Sequence, residues 1–257
     1  MENVRLVDSM PRENLDTAIV QAARVSYGAP AKKSTDRALI RHLMRHWHTS
    51  PFEMVEFKFH IKMPIFVARQ HFRHRTASIN EISGRYAEVE NNFFVPQVYR
   101  SQSTINKQCS DGDLQVSPEL YQKPIKHNEQ AFEIYDELIE AGVSRELARC
   151  HLPQSTFTEF YWKINLHNLL HYLQLRMAPD AQQEIREYAN QIFAIIEPML
   201  PVTMEAFKDF RLDAVTLSGP EVKALQTGNF YGSHREMEEF VKKRDTLGIP
   251  PPSQISQ

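Results

Sequence analysis

The spacing of hydrophobic and polar positions changes along the chain and predicts which segments are strands and which are helices. In residues 53–61, EMVEFKFHI, apolar side chains alternate with polar or flexible ones, as in a strand that buries one face. A shorter pattern at Val4 and Leu6 predicts an earlier strand. Apolar residues spaced three or four apart predict helices over 14–23 and 35–46.

After this strand the pattern is less regular. Pro64 suits the first turn of a helix, so residues 65–73 are predicted to be helical. Residues 78–86, SINEISGRY, are predicted to form an irregular turn that leads into an extended piece. Residues 97–128 are polar and are predicted to be a long loop, which either covers an active site or is a solvated excursion.

Helical spacing dominates the C-terminal half. It predicts helices over 129–141, 156–177 and 181–197. Ser144 is placed to cap a further short helix that ends before Pro153. Strands that gather early and helices that gather late predict an α+β fold. We expect a mixed sheet from the N-terminal half packed with helices, and several long helices in the C-terminal half.

Charge and cysteine content weigh against some classes of protein. The net charge is −2, whereas a protein that mainly grips nucleic acid usually carries a basic excess. Cys109 and Cys150 are too few for a disulfide framework and lack the CxxC spacing of a zinc site. No secretory signal and no apolar run of about 20 residues is visible, so we expect a cytoplasmic protein that binds neither nucleic acid nor membrane.

Arginines and hydrogen-bonding side chains are concentrated in residues 70–86. Arg73, Arg75 and Arg85 supply planar guanidinium groups, which suit phosphate and carboxylate oxygens. Gly84 allows the backbone to approach a ligand closely. The glycine-rich motifs GxGxxG and GxxxxGK[ST] are absent, so side chains would have to hold any nucleotide. From these residues alone, an anion site and a solvated basic turn both remain open.

The same segment carries the resemblance of this chain to the flavin-dependent thymidylate synthases. That family has the motif RHR, seven residues, then Ser, and this chain has Arg73-His74-Arg75, seven residues, then Ser83. Further blocks resemble the family in its order across most of residues 18–190. They are AARVSY near the N-terminus, HWHTSPFE at 46–53, PIFVARQ at 64–70, RELARCHLP at 145–153 and LR…AQQEIR before residue 190.

The resemblance implies an enzyme that methylates dUMP to dTMP. NADPH would reduce FAD, the reduced flavin would supply hydride, and 5,10-methylenetetrahydrofolate would supply the carbon. The resemblance also implies a homotetramer whose active sites are built from several subunits. We assign residues 1–215 to the catalytic domain and residues 216–257 to a partly disordered C-terminal extension that ends in PPSQISQ.

The functional residues of the family carry over to matching positions of this sequence. Arg176 would be the catalytic residue that polarises the N3/O4 edge of uracil, although a charge that complements the helix dipole is the alternative role. For dUMP the resemblance implies contacts with Gln70, Arg73, Ser83, Gly84, Arg85, Arg149 and Arg176. For FAD it implies contacts with Ser50, Arg73, His74, Arg75, Glu81, Asn165, His167 and His171. His48 would lie near the flavin or folate rings, where an imidazole can stack.

Three features suggest other chemistry, which the pattern does not favour. Cys150 lacks the preceding proline of the nucleophile in folate-only thymidylate synthases, so we interpret it as a small packing residue. Ser83 has no His-Asp relay in its local sequence, and a binding role is favoured. His167 and His171 have an i,i+4 spacing that could hold a metal, but no HExxH motif or cysteine accompanies them, and no metal is predicted.

The predicted helix over 156–177 would place Asn165 and Arg176 on one face, about 16 Å apart, so that one could touch flavin and the other the pyrimidine. Asp180 stands where some family members have a histidine, and a carboxylate cannot act as an imidazole at neutral pH. Three other functions remain as alternatives. They are a nucleic-acid-binding module that uses the RHR turn, a flavoprotein of another reaction, and a catalytically inactive scaffold.

Overall fold

The computed structural model describes residues 3–26, 35–104 and 109–249. These residues form two compact units, with the boundary after Phe207. The strands of the larger unit are β1 (Val4–Met10), β2 (Glu56–Pro64), β3 (Ser78–Glu81), β4 (Tyr99–Gln102), β5 (Ser110–Leu114) and β6 (Phe157–Asn165). Its helices are α1 (Leu15–Val25), α2 (Asp36–Arg45), α3 (Ser50–Glu53), α4 (Ile65–His71), α5 (Pro118–Glu140), α6 (Arg145–Ala148), α7 (Leu166–Arg176), α8 (Gln183–Ile196) and α9 (Pro201–Phe207).

The main sheet is antiparallel, with the strand order β1-β2-β6-β3. The predicted alternation is confirmed in β2, where Phe57, Phe59 and Ile61 are fully buried. Trp162 of β6 pairs with Phe59 in the register and is buried on the same face. The α+β class is therefore confirmed, but the sheet is antiparallel and not mixed, and one central strand comes from the C-terminal half.

That central strand corrects the prediction of a single helix over 156–177. Residues 157–165 form β6, and the helix α7 begins only at Leu166. In β6 the buried residues Phe160, Trp162 and Ile164 alternate with more exposed ones, which is the spacing of a strand. Aromatic residues favour this pleated, half-buried setting. The helix prediction for 157–165 is wrong because these residues follow a strand's period of two, and helical spacing begins only with α7.

The predicted long loop over 97–128 is also corrected. β4 and β5 pair as an antiparallel ladder within it, and α5 begins at Pro118. The hydroxyl of Ser117 accepts from the amide of Leu120, so a polar capping residue followed by proline marks the helix start. Residues 105–108 of this segment lie outside the described residues.

Two helices approach one another over the buried face of the sheet. α4 follows β2 directly at Pro64, and α7 follows β6 directly at Asn165. Because β2 and β6 are antiparallel neighbours paired along their whole length, the two helices begin at opposite ends of the strand pair. Their C-terminal ends meet, since His71 at the end of α4 contacts Tyr172 in α7. This convergence fixes where residues 70–76 and Arg176 lie.

The smaller unit, residues 208–249 as described, contains the helices α10 (Gly219–Thr227) and α11 (His234–Leu247). Both start with a capping box, in which Ser218 pairs with Glu221 and Ser233 pairs with Glu236. Phe230 and Phe240 stack in its small apolar cluster. The predicted domain boundary at residue 215 stays a prediction, and the PPSQISQ tail lies outside the described residues. Within the described ranges, no helix has the length and apolar character needed to cross a membrane.

Candidate active site

The C-terminal ends of α4 and α7 border a cleft of about 600 Å³. Helix C-termini carry partial negative charge, so arginines beside them are favourable. The cleft is lined by Arg73, His74, Arg75, Thr76, Asn168, His171, Leu175 and Arg176. The RHR motif and two residues predicted on α7 therefore lie together, although they are far apart in sequence.

Arg176 is held by His74. Its Nε donates to Nε2 of the imidazole at 2.9 Å, and its Nη2 donates to the backbone oxygen of Gln70 at 3.5 Å. Because arginine stays protonated, His74 must accept through an unprotonated Nε2 and is the neutral Nδ1–H tautomer. Burial, together with the nearby Arg176 and His171, lowers the pKa of His74 to about 4. The Arg176–His74 pair therefore carries one positive charge at neutral pH.

A buried aromatic layer supports this pair from beneath. His71 is fully buried, and its Nδ1 lies 3.1 Å from the hydroxyl oxygen of Tyr172. The His71 ring also meets Trp162 edge-on, with 4.3 Å between the ring centroids. Burial lowers the pKa of His71 to about 3 and raises the pKa of Tyr172, so both side chains are uncharged. Tyr172 contacts the His74 ring at 4.8 Å between centroids, which restricts the imidazole that orients Arg176.

The arginines of the cleft lack carboxylate partners. Within residues 3–26, 35–104 and 109–249, none of Arg73, Arg75 and Arg176 forms an ion pair. Arg73 and Arg75 are also exposed. Uncompensated guanidinium groups in a cleft raise the local positive potential and are suited to bind phosphate or carboxylate groups. The geometry of the cleft favours the anion site over the solvated basic turn.

A second group of predicted residues surrounds the turn after β3. Gly84 lies against Arg149, because a Cβ atom on Gly84 would be 3.0 Å from Cγ2 of Val89 and 3.2 Å from Cδ of Arg149. Ser83 shapes the turn, since its carbonyl oxygen accepts from two later backbone amides and its Oγ accepts from the amide of Arg85 at 3.3 Å. The predicted dUMP residues of this turn are therefore neighbours of Arg149.

The two groups are not joined within the chain. Among the described residues, no hydrogen bond or ion pair connects the 83–85 turn or Arg149 with the residues of the cleft. Arg85 instead forms an ion pair with Glu146 at 3.6 Å. Gln70 belongs to the cleft group through its contact with Arg176. The predicted dUMP residues therefore divide between two separate groups.

Three other predicted residues lie on different elements. His48 is exposed and stacks on His42, with ring centroids 5.7 Å apart and 21° between the ring planes. Ser50 begins α3, shortly after this stack. Glu81, at the end of β3, accepts a hydrogen bond from Oγ1 of Thr158 at 2.7 Å. None of these three lines the cleft in the described chain.

Asn165 and His167 lie at the opposite end of α7 from Arg176. Asn165 is the N-cap residue, and its Oδ1 accepts from the backbone amide of Asn168 at 3.0 Å. The prediction that Asn165 and Arg176 share one helix is therefore wrong, because residue 165 ends β6 and stabilises the first turn of α7. His167 lies in that first turn, one turn before His171.

Some cleft residues were not predicted. Asn168, His171 and Leu175 recur at intervals of three and four residues on one face of α7, so the position of His171 was a signal for the other two. The side chain of Gln182 binds that of Gln70. This contact depends on the packing of α8 against α4, which no local pattern reveals.

Neither cysteine lines the cleft. Cys150 is exposed, and its Sγ donates to the backbone oxygen of Glu146 at 3.4 Å. The predicted packing role of Cys150 is wrong, because residues 149–151 form a short turn whose side chains face solvent. Cys109 donates to the backbone oxygen of Asp180 at 3.1 Å. The described chain thus brings no thiol to the arginine cleft.

Comparison with known proteins agrees with the motifs. The sequence model of the family described as "Thymidylate synthase complementing protein" matches residues 5–202. The chain is 49% identical to the flavin-dependent thymidylate synthase of Dictyostelium discoideum over 95% of this chain and 84% of that protein. It is 53% identical to the enzyme of the same name from Thermus thermophilus over 87% of this chain and 82% of that protein. The chain belongs to the flavin-dependent thymidylate synthase family.

A solved structure shares the fold. The crystal structure of the UMP/dUMP methylase PolB from Streptomyces cacaoi, bound with 5-Br UMP, superposes with a TM-score of 0.71 at 38% sequence identity. The superposition covers 81% of this chain and 95% of that one. A second PolB structure, bound with 5-Br dUMP, gives the same TM-score of 0.71.

Proposed function

We propose that this protein is a cytoplasmic methyltransferase that converts dUMP to dTMP by reductive methylation with FAD, NADPH and 5,10-methylenetetrahydrofolate. The observation that supports this most directly is the cleft in which Arg73, Arg75 and Arg176 lack carboxylate partners among the described residues. Guanidinium groups of this kind suit a nucleotide phosphate and the oxygens of a pyrimidine. The names of the relatives and of the PolB methylase support the same reaction class.

The cleft supports electrostatic activation of the pyrimidine. Methylation at C5 of uracil needs extra electron density on that carbon, and neither cysteine lines the cleft to supply it by adduct formation. A cation at the N3/O4 edge stabilises the enolate-like charge instead, and we assign this catalytic role to Arg176. Neutral His74 holds the guanidinium through Nε, and Nη1 of Arg176 has no hydrogen-bond partner among the described residues. The ring edge of the nucleotide would take that position.

We assign dUMP binding to both groups of predicted residues. The cleft contributes Gln70, Arg73 and Arg176, while the turn after β3 contributes Ser83, Gly84 and Arg85 together with Arg149. Because the two groups are not joined within one chain, we propose that the cleft of one subunit is completed by the turn of another. This arrangement requires an oligomer, and a homotetramer with shared active sites is the state that the family resemblance implies.

The residues present fit an anionic dinucleotide cofactor. Arg73, His74, Arg75 and His171 line the cleft with cationic or hydrogen-bonding side chains, which replace a glycine-rich phosphate loop. We assign these residues to FAD, with Ser50, Glu81, Asn165 and His167 as further contacts. Exposed His48, which is stacked on His42, offers an imidazole face to a flavin or folate ring. When bound, reduced FAD supplies the hydride, NADPH is its reductant, and methylenetetrahydrofolate is the carbon donor.

The proposal is tested on the purified protein. We expect flavin absorbance in the isolated protein, and release of tritium from 5-tritiated dUMP that requires NADPH and methylenetetrahydrofolate together. Cys150→Ala should retain this activity, because the thiol is exposed and outside the cleft. A colourless protein that does not respond to added FAD, or full loss of turnover in folded Cys150→Ala, would contradict the proposal.

Binding measurements on the same protein, together with these assays, separate the alternatives. A nucleic-acid-binding module predicts DNA binding that weakens steeply with salt. A flavoprotein of another reaction predicts flavin absorbance and NADPH oxidation without tritium release. An inactive scaffold predicts binding of dUMP without release of tritium under any combination of co-substrates.

A further inference from the structure

A chain of hydrogen bonds leads from the β4–β5 hairpin to the cleft. Arg100 of β4 donates from Nη2 to Oε1 of Glu184 at 2.6 Å. Gln182 donates from Nε2 to Oε2 of the same carboxylate at 2.7 Å. Gln70 in turn donates from Nε2 to Oε1 of Gln182. The backbone oxygen of Gln70 is the atom that Nη2 of Arg176 approaches.

The carboxylate dictates the direction of the hydrogen bonds that the side chains of Gln182 and Gln70 make. An ionised carboxylate only accepts hydrogen bonds, so Gln182 must turn its NH₂ group toward Glu184. The oxygen of Gln182 then faces Gln70, which must also present its NH₂ group. Oε1 of Gln70 is left without a partner among the described residues and can accept a hydrogen bond from a ligand. An amide with no such neighbour could adopt either orientation.

Burial makes this direction persistent. The Glu184 side chain is 11% exposed and the Arg100 side chain 22% exposed, so water competes little for the ion pair. Burial raises the pKa of Glu184, but the hydrogen bonds from Arg100 and Gln182 outweigh it and leave the pKa below its usual value. Glu184 therefore stays an acceptor at neutral pH. Arg100 and Glu184 line a pocket that is also lined by the acidic residues Asp113 and Glu187. These two carboxylates oppose a further negative charge, but the contact with Arg100 still favours the ionised form of Glu184.

We propose that Glu184 and Gln182 are positioning residues that fix the amide of Gln70, so that its oxygen is the atom left to accept a hydrogen bond from the nucleotide. The substrate then meets an acceptor at this position, which selects for a donor group such as a ring N–H or a sugar hydroxyl. Arg100 ties the β4–β5 hairpin to the same carboxylate. The proposal rests on the proposed function only in taking dUMP as the ligand.

The test measures dUMP binding to the FAD-loaded protein by isothermal titration calorimetry. Glu184→Gln should weaken dUMP binding about tenfold, because the new amide can donate or accept and no longer fixes Gln182. Gln182→Met, which removes the relay while keeping the side-chain length, should weaken it to a similar extent. Glu187→Gln is the matched control on α8, where the exposed carboxylate binds only Gln183 among the described residues, and it should leave the affinity unchanged.

A double-mutant cycle separates positioning from general damage. In a Gln70→Ala background, Glu184→Gln should produce no further loss of dUMP affinity, because its effect passes through Gln70. Full additivity of the two losses, or unchanged affinity in both folded Glu184→Gln and Gln182→Met, overturns the inference. If the unmodified protein does not bind dUMP at all, the proposed function fails instead. Thermal unfolding of each variant confirms that the comparison is made between folded proteins.

Discussion

Two groups of arginines in the larger unit differ in what their guanidinium groups contact. One group meets carboxylates, in the pairs Arg24–Asp36, Arg37–Glu205, Arg41–Glu205, Arg85–Glu146, Arg145–Glu88 and Arg100–Glu184. The other group lines the cleft, and among the described residues it meets no carboxylate. Arg176 takes a neutral imidazole as its partner, so its orientation is fixed without loss of its charge. The difference indicates that arginines paired with carboxylates neutralise charges of the fold, while the cleft arginines keep their charge for a ligand. Arg85 is the exception in the first group, because its ion pair with Glu146 is exposed and 3.6 Å long and we assign its guanidinium to dUMP.

The comparison is tested most strongly at Arg176. Arg176→Ala should lower kcat/KM for dTMP formation about a thousandfold, because a fixed cation that stabilises developing charge is removed. Arg37→Ala is the matched control, since it breaks an exposed ion pair whose loss changes stability by less than about 1 kcal/mol. Steady-state assays and thermal unfolding of both variants give the result. Equal losses of activity in the two variants would remove the distinction between the groups.

The second-largest effect is expected in acid, which should lower the free energy of unfolding through the neutral side chains of His71 and His74. In the unfolded chain, His71 and His74 bind protons near the usual pKa of about 6.5, whereas in the folded chain they do so only near pH 3 and 4. The unfolded state therefore binds more protons below pH 6.5, and the free energy of unfolding falls as the pH is lowered toward 4. Urea unfolding at several pH values measures this fall. It should be shallower in His74→Gln, and an identical slope in that variant would contradict the buried neutral state of His74.

A substitution in the turn beside Arg149 should have a more moderate effect on dUMP binding. Gly84→Ala places a Cβ atom 3.0 Å from Val89 and 3.2 Å from Arg149, so both side chains must shift. We expect dUMP affinity to fall about tenfold, the equivalent of one well-placed charged hydrogen bond. Gly112→Ala is the control, because no atom lies within 4 Å of the position that its Cβ atom would take. Calorimetric titration should find that the control binds dUMP with unchanged affinity. An unchanged dUMP affinity in Gly84→Ala would show that this turn does not contact the substrate.

The smallest effect is expected for the buried contact between Tyr172 and His71, which packs against the Arg176–His74 pair. Tyr172→Phe removes the hydroxyl that contacts Nδ1 of His71 and leaves a buried imidazole without a partner, which should destabilise the fold by about 1–2 kcal/mol. Tyr161→Phe, on a side chain that is 43% exposed, should change stability by less than about 0.5 kcal/mol. Chemical denaturation of the two variants compares them. A Tyr172→Phe protein as stable as the wild type would mean that this contact does not support the pair above it.

Much of the local structure was predictable because it depends on neighbours in sequence. β2 follows from strict alternation, and α1, α2 and α8 follow from helical spacing. The start of α5 was missed although Ser117 and Pro118 mark it. The helical prediction for 157–165 is wrong, since only the pairing of β6 with β2 makes the alternation in this segment decisive.

The sequence by itself determined the motif, the family and the residue types of the candidate site, because the RHR segment and α7 carry them in a fixed order. Only the tertiary structure decided which of those residues meet. Antiparallel pairing of β2 with β6 brings the ends of α4 and α7 together, so His74 can hold Arg176. The same packing joins Gln70 to Gln182. These contacts connect residues more than a hundred positions apart, and local spacing carries no information about such distances.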